Sequence, residues 1–377
     1  MAEALVNGRV LTSRGMEPAT VVLAGGRIAE VRPAAPGEPG LDLAGGCLFP
    51  GFIDTQVNGG GGALFTDTPT VAAIAAIGAA HRRFGTTGFL PTLISDDLDA
   101  VAVAIAAVDA AIAAGVPGVL GIHIEGPFLS ASRKGIHDAS KFRTLDDAAF
   151  DLLTSLRRGR TLVTLAPEAT TPQMIRRLTK AGVVVAAGHT DADYQTIRAA
   201  LDAGLKGFTH LFNAMSPLTS REPGAVGAAL EDQESWCGLI VDGRHVHPAV
   251  LRVALRARRR DRFMLVTDAL SSVGMAEKSF TMQGRAIRVV DGVCVDENGT
   301  IAGSDLDMAS AMRNLMAIAG LDVGEAVAMA SSAPAAFLGL EAEVGRIAPG
   351  QRANLVLCDA DLRVQRTWID GEASTPA

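Results

Sequence analysis

The hydrophobic pattern of the chain changes period twice. Over residues 1–48, apolar and polar positions alternate between turn signals, in 5–11, 20–23 and 25–31. Alternation of that kind marks half-buried antiparallel strands. A matching set returns at 345–347, 353–359 and 364–371. Neither set is large enough to bury a core alone. The two ends are therefore expected to pack into one small β-sandwich, built from 1–48 and 341–377.

Between the ends the pattern becomes strand, then helix, repeatedly. Eight apolar strand segments stand at 52–54, 88–92, 119–125, 162–166, 183–189, 207–210, 238–242 and 263–268. Runs that are apolar on both faces belong to a parallel sheet covered on both sides. Helical periodicity fills most of the gaps, at 70–84, 98–114, 144–157, 172–181, 193–203 and 248–257. Eight such units over 49–340 match a (β/α)8 TIM-type barrel, and a doubly wound open sheet would give the same local signal. The stretch 278–304 breaks the rhythm. It alternates around Asp291-Gly292 and reads as a β-hairpin inserted after the eighth strand, with helices resuming at 306–319 and 323–338.

Composition narrows the class. Apolar residues make up 48% of the 377 and aromatic ones only 4%, so the core must be built from Ala, Val, Leu and Ile, as in layered α/β proteins. The formal net charge is −7, and the basic run 256–262 (Arg-Ala-Arg-Arg-Arg-Asp-Arg) follows a helical stretch and decorates its solvated end. No nucleic-acid partner is expected. The four cysteines are far apart, which implies neither a disulfide framework nor a zinc knuckle. With no signal-like start and no apolar run long enough for a membrane span, the expected location is the cytoplasm.

The candidate chemistry sits where the strands end. Glu125 closes the third strand, His189 the fifth, His210 the sixth and Asp268 the eighth. A lone His at such a place is usually a satisfied structural residue. Two His and a Glu on one rim of a parallel barrel converge, and His2Glu with an open fourth position is a known arrangement for catalytic zinc. Asp268 then reads either as a cap on its loop or as a carboxylate that takes a proton from water and later delivers it to a leaving group.

Several motifs point further: Asp54-Thr55-Gln56-Val57-Asn58-Gly59-Gly60-Gly61, Gly121-Ile122-His123-Ile124-Glu125-Gly126-Pro127-Phe128, Gly188-His189-Thr190, Thr209-His210-Leu211-Phe212-Asn213-Ala214-Met215 and Val266-Thr267-Asp268. In these the chain resembles the N-acetylglucosamine-6-phosphate deacetylases of the amidohydrolase superfamily, over nearly its whole length. The resemblance implies the barrel rather than the open sheet. It also implies hydrolysis of N-acetyl-D-glucosamine 6-phosphate to D-glucosamine 6-phosphate and acetate, in amino-sugar catabolism. Rival readings are the same reaction on N-acetylgalactosamine 6-phosphate, and an inactive barrel kept as a scaffold.

The resemblance further assigns roles. Glu125, His189 and His210 would hold one divalent metal per subunit, with zinc the first candidate and iron, cobalt or manganese the others. Asp268 would be the proton shuttle, and His137 would polarise the acetamide carbonyl. Ile136, Asn213, Ala214, Ile301, Ala302 and Gly303 would contact the sugar phosphate, and Arg221 and His245 would pair with the phosphate. In that family the arginine reaches across a homodimer interface, whereas the sequence alone allows Arg221 to pair with adjacent Glu222 as surface charge. One departure matters: Gln56-Val57-Asn58 stands where a two-metal site would have His-x-His, and 162–166 offers no lysine. Neutral amides are poor ligands for zinc-like ions, hence the expectation of a single metal.

Overall fold

The computed structural model describes residues 2–374; Met1 and 375–377, the outermost positions of the expected terminal β unit, lie outside the described residues. Eight parallel strands follow one another in chain order: Phe52–Val57, Thr86–Ile94, Gly121–Glu125, Arg160–Leu165, Val184–Ala187, Gly207–Phe208, Trp236–Leu239 and Phe263–Leu265. A parallel bridge between Val57 and Ala269 joins the last to the first, and the Asp268 N–H donates to the Gln56 carbonyl at 3.0 Å. The ring is closed, which excludes the open sheet. Phe52–Val57 and Thr86–Ile94 are buried along their whole length, Asp54, Gln56 and Thr92 included, as strands of a sheet covered on both faces are.

The interior is layered. Toward the strand starts it is filled by Ile53, Leu90, Leu120, Leu162 and Met264, and Phe337 from the helix Ser332–Leu338 plugs it. A Cβ on Gly207 would meet the Phe337 ring at 2.9 Å, so the glycine makes room for the plug. The next layer is polar and satisfied. Thr92 Oγ1 lies 3.3 Å from His123 Nδ1, His123 Nε2 2.7 Å from Thr164 Oγ1, and Thr164 Oγ1 2.6 Å from Thr209 Oγ1. Burial pushes His123 down to about 4, so the ring is neutral here. This layer forms the floor beneath the strand ends.

The expected helices stand at Val71–Arg82, Leu98–Ala113, Asp147–Leu153, Pro172–Lys180, Tyr194–Asp202, Pro248–Ala257 and Met308–Ala319. Thr70, Thr171 and Asp193 cap their helices by accepting a backbone N–H. The segment 323–338 is two helices, Val323–Ala330 and Ser332–Leu338, rather than one. Pro334 lacks the N–H that would continue the ladder, and Ser331 leaves the helical region at φ −137° and ψ −72°. The helix Gly224–Glu231 was not expected. Its residues are buried except for the terminal Glu231, so it shows no polar face to give a period.

Both chain ends enter one eight-stranded, hydrogen-bonded sheet. Cys47–Pro50 is its junction: it runs parallel to Glu3–Thr12 and antiparallel to Leu355–Cys358. The apolar cluster against this sheet draws on both ends, with Leu5, Val10, Val21 and Leu48 meeting Leu355 and Trp368. The expected strand at 345–347 is absent, because Gly345 turns the chain at φ +98°, yet Ile347 still enters that cluster.

The insertion is larger than a hairpin. Ser279–Met282, Arg285–Val290, Val293–Val295 and Ile301–Ser304 form a four-stranded antiparallel sheet. Its last strand is tied to the barrel, since Ser304 N–H donates to the Asp268 carbonyl at 2.9 Å and Leu270 N–H to the Ser304 carbonyl at 3.0 Å. That seam brings 301–303 over the strand ends.

Candidate active site

Glu125 is the last residue of its strand and is 2% exposed. His189 and His210 follow the fifth and sixth barrel strands with left-handed backbones, φ +49° and +34°. Such backbones are costly outside glycine, and here they turn both imidazoles inward over the barrel mouth. Glu125 Oε1 lies 3.2 Å from His189 Nε2 and 3.0 Å from His210 Nε2, and the two nitrogens are 3.1 Å apart. His189 Nδ1 is 2.8 Å from the Arg133 carbonyl, to which it can only donate, which leaves Nε2 as the nitrogen that a neutral ring would offer to a metal. Burial would raise the Glu125 pKa, but the two imidazoles outweigh it and hold the carboxyl well below its usual range. An ionised carboxylate and an imidazole lone pair, buried and convergent, are what a divalent ion requires. The three residues could hold a metal, and their donor chemistry fits one.

Asp268 also has a left-handed backbone, at φ +52°. Its Oδ1 accepts from Asn58 Nδ2 at 2.7 Å and from Gln56 Nε2 at 3.1 Å. Gln56 Nε2 also reaches both Glu125 oxygens at 3.2 Å. The two amides thus serve as donors that space the carboxylates. Burial and the Glu125 charge push Asp268 up to about 7, the range in which a carboxyl can both take and give a proton.

His137 completes the group. Ser95 N–H donates to its Nδ1 at 3.3 Å, and Ser95 Oγ lies 2.8 Å from the same nitrogen. Nδ1 is therefore the acceptor and Nε2 carries the proton. Burial lowers its pKa well below the usual value, so the ring is a neutral N–H donor. Its centroid is 4.4 Å from that of His189.

The arrangement matches an established group. The model of the amidohydrolase family matches residues 47–373. The chain belongs to the amidohydrolase family. An N-acetylgalactosamine-6-phosphate deacetylase from Shewanella sp. strain ANA-3 is 44% identical over 89% of this chain and 85% of its own length. An N-acetylglucosamine-6-phosphate deacetylase from Haemophilus influenzae is 34% identical over 99% of both. Among solved structures, an N-acetyl-D-glucosamine-6-phosphate deacetylase variant from Mycobacterium smegmatis, in complex with N-acetyl-D-glucosamine-6-phosphate, is 35% identical with a TM-score of 0.90, covering 99% of each chain.

In this amidohydrolase the candidate residues share one cleft of about 170 Å³. Glu125, His137, His189, His210 and Asp268 line it together with Ile136, Asn213, Ala214, His245, Ile301, Ala302 and Gly303. Arg221 is the exception: it lies exposed on a loop outside the cleft. Its pairing with Glu222 is also absent. Glu222 Oε1 instead accepts from the N–H groups of Tyr194 and Gly224, both at 3.0 Å. Ile94, Leu270 and Met282 line the cleft without having been expected, as apolar residues of no distinctive type. Ser95 and Arg285 were also missed. Arg285 Nη1 donates to the Ile136 carbonyl at 2.9 Å and so pins the loop that carries His137.

Proposed function

We propose that this chain hydrolyses N-acetyl-D-glucosamine 6-phosphate to D-glucosamine 6-phosphate and acetate. The observation that carries the reading is the convergence of Glu125, His189 and His210 with Asp268 and the His137 N–H donor in one cleft. Glu125, His189 and His210 hold a single divalent ion, zinc by preference, which supplies Lewis acidity and lowers the pKa of water. His137 Nε2–H donates to the acetamide oxygen as negative charge gathers there. Asp268 takes the proton of the attacking water and returns it to the sugar nitrogen as the C–N bond breaks. Asn213 and Ala214 hold the sugar phosphate, with Ile301, Ala302 and Gly303 against the ring.

The exposure of Arg221 supports a homodimer in which this side chain enters the partner's cleft. No helix among the described residues is long and apolar enough to cross a membrane. We read the enzyme as cytoplasmic, working on a small phosphorylated sugar and with no nucleic-acid partner.

The Shewanella relative favours a second reading, the same reaction on N-acetylgalactosamine 6-phosphate. The two sugars differ at one hydroxyl. Acetate release from both, measured side by side on metal-loaded enzyme, decides between them. Release from neither sugar would sink the proposal.

A further inference from the structure

Among the described residues, no lysine or arginine of this chain lines the cleft, so this chain's own positive group for an anionic ligand, beside the Arg221 that the dimer reading brings from the partner, must be a histidine. His245 is placed to be that group. It lies with Asp242 on the loop after the strand Trp236–Leu239, and the two side chains are 4% and 5% exposed. Asp242 Oδ1 accepts the backbone N–H groups of Arg244 and His245 at 2.8 and 2.9 Å, which anchors the carboxylate in its own loop. Oδ2 remains for the imidazole and lies 2.5 Å from His245 Nδ1. A carboxylate there only accepts, so Nδ1 donates. The other ring nitrogen, Nε2, is buried without a hydrogen-bond partner, on a residue that lines the cleft beside Asn213 and Ala214. A buried polar atom left unpaired in this way calls for an explanation, and a ligand supplies one.

We propose that Asp242 is a positioning residue that holds His245 as an imidazolium, so that Nε2–H is presented to the phosphate of the substrate. This rests on the phosphorylated-sugar reading given above. A neutral ring with Nδ1–H would offer a lone pair at Nε2 and repel an anion. With both nitrogens protonated, the ring gives a charge-assisted donor, which is about twice as strong as a neutral one. Other charges nearby agree with this form. Asp268 adds negative potential along the cleft, and Arg244 pairs with Asp291 at 3.2 Å.

Steady-state acetate release by the metal-loaded enzyme tests the assignment. Asp242→Asn keeps the shape and one oxygen for the loop N–H groups but turns an uncharged amide toward His245. It should raise KM for the phosphorylated sugar about 10-fold, the loss expected for a charge-assisted bond, and lower kcat less than about threefold. Competitive inhibition by inorganic phosphate should weaken by the same factor. A KM within about twofold of the parent, or a fall in kcat at unchanged KM, overturns the proposal. If the variant does not fold, the unsubstituted protein gives a second readout. Nitrogen-15 NMR of the His245 ring, identified by its loss in His245→Gln, should show both nitrogens protonated near pH 7 with inorganic phosphate bound. A lone pair at Nε2 there also overturns it. Parent enzyme that deacetylates neither phosphorylated sugar defeats the functional reading instead, and the ring signals still decide the state of His245.

Discussion

Single residues in this cleft work through backbone placement as much as through chemistry. His189, His210 and Asp268 all stand at positive φ two or three positions after a strand stops. Each such backbone costs of order 1–3 kcal/mol, sustained by the closed barrel around it. Asp268→Asn should keep the metal but lower kcat on the order of 10²–10⁴-fold, because an amide cannot shuttle the proton. Near-normal turnover in that variant, with metal content checked by elemental analysis, would leave Asp268 a structural residue only. Gln56 and Asn58 carry a separate expectation. Since their amides are spent as donors to Glu125 and Asp268, protein purified without added metal should hold about one ion per chain. A crystal with two firmly bound ions, one of them on Gln56 or Asn58, would contradict it. Glu125, His189, His210 and Asp268 were legible in the sequence because four ligand-type side chains end strands on one barrel rim, where any one alone would read as structural. Ser95 was not, because a serine is common everywhere and only the folded path puts its hydroxyl on His137 Nδ1.

At the scale of elements, the barrel strands were readable because strands covered on both faces are mostly apolar, and the few polar residues within them, such as Thr92, His123 and Thr164, are paired with one another. The helix Gly224–Glu231 was hidden for the complementary reason: buried nearly all round, it has no polar stripe to set a period. Likewise, alternation revealed the insertion but not its four strands, because a two-fold period marks a strand without saying how many others it pairs with. That sheet has a part in the chemistry through Arg285, whose guanidinium holds the Ile136 carbonyl. Arg285→Met should let the loop carrying His137 drift and reduce kcat/KM roughly 10- to 100-fold, as a misplacement of about 1 Å can do. Metal content should stay unchanged and Arg285→Lys should recover part of the activity. Unaltered kinetics in Arg285→Met would show that the loop is held without the insertion.

For the whole molecule, two features set stability and assembly. Phe337 is fully buried as the barrel's plug, and Phe337→Ala should cost about 3–5 kcal/mol, readable as a lower denaturation midpoint with an unchanged slope. The shared-site reading of Arg221 can be tested by mixing Arg221→Ala chains, whose KM should be raised, with Asp268→Asn chains, whose turnover should be lost. Hybrid dimers should regain activity through one intact composite cleft, whereas silence after proven subunit exchange would return Arg221 to the surface. The other feature is the seam between Cys47–Pro50 and Leu355–Cys358. Its halves lie far apart in the chain, and at translation rates of about 5–20 residues per second roughly 15–60 s separate their emergence from the ribosome. Throughout that interval the early strand presents an unpaired apolar edge, the kind that seeks any available partner. A ribosome stalled short of Leu355 would hold a finished barrel beside a terminal sheet left unstitched, a target for chaperones and proteases rather than a slower enzyme.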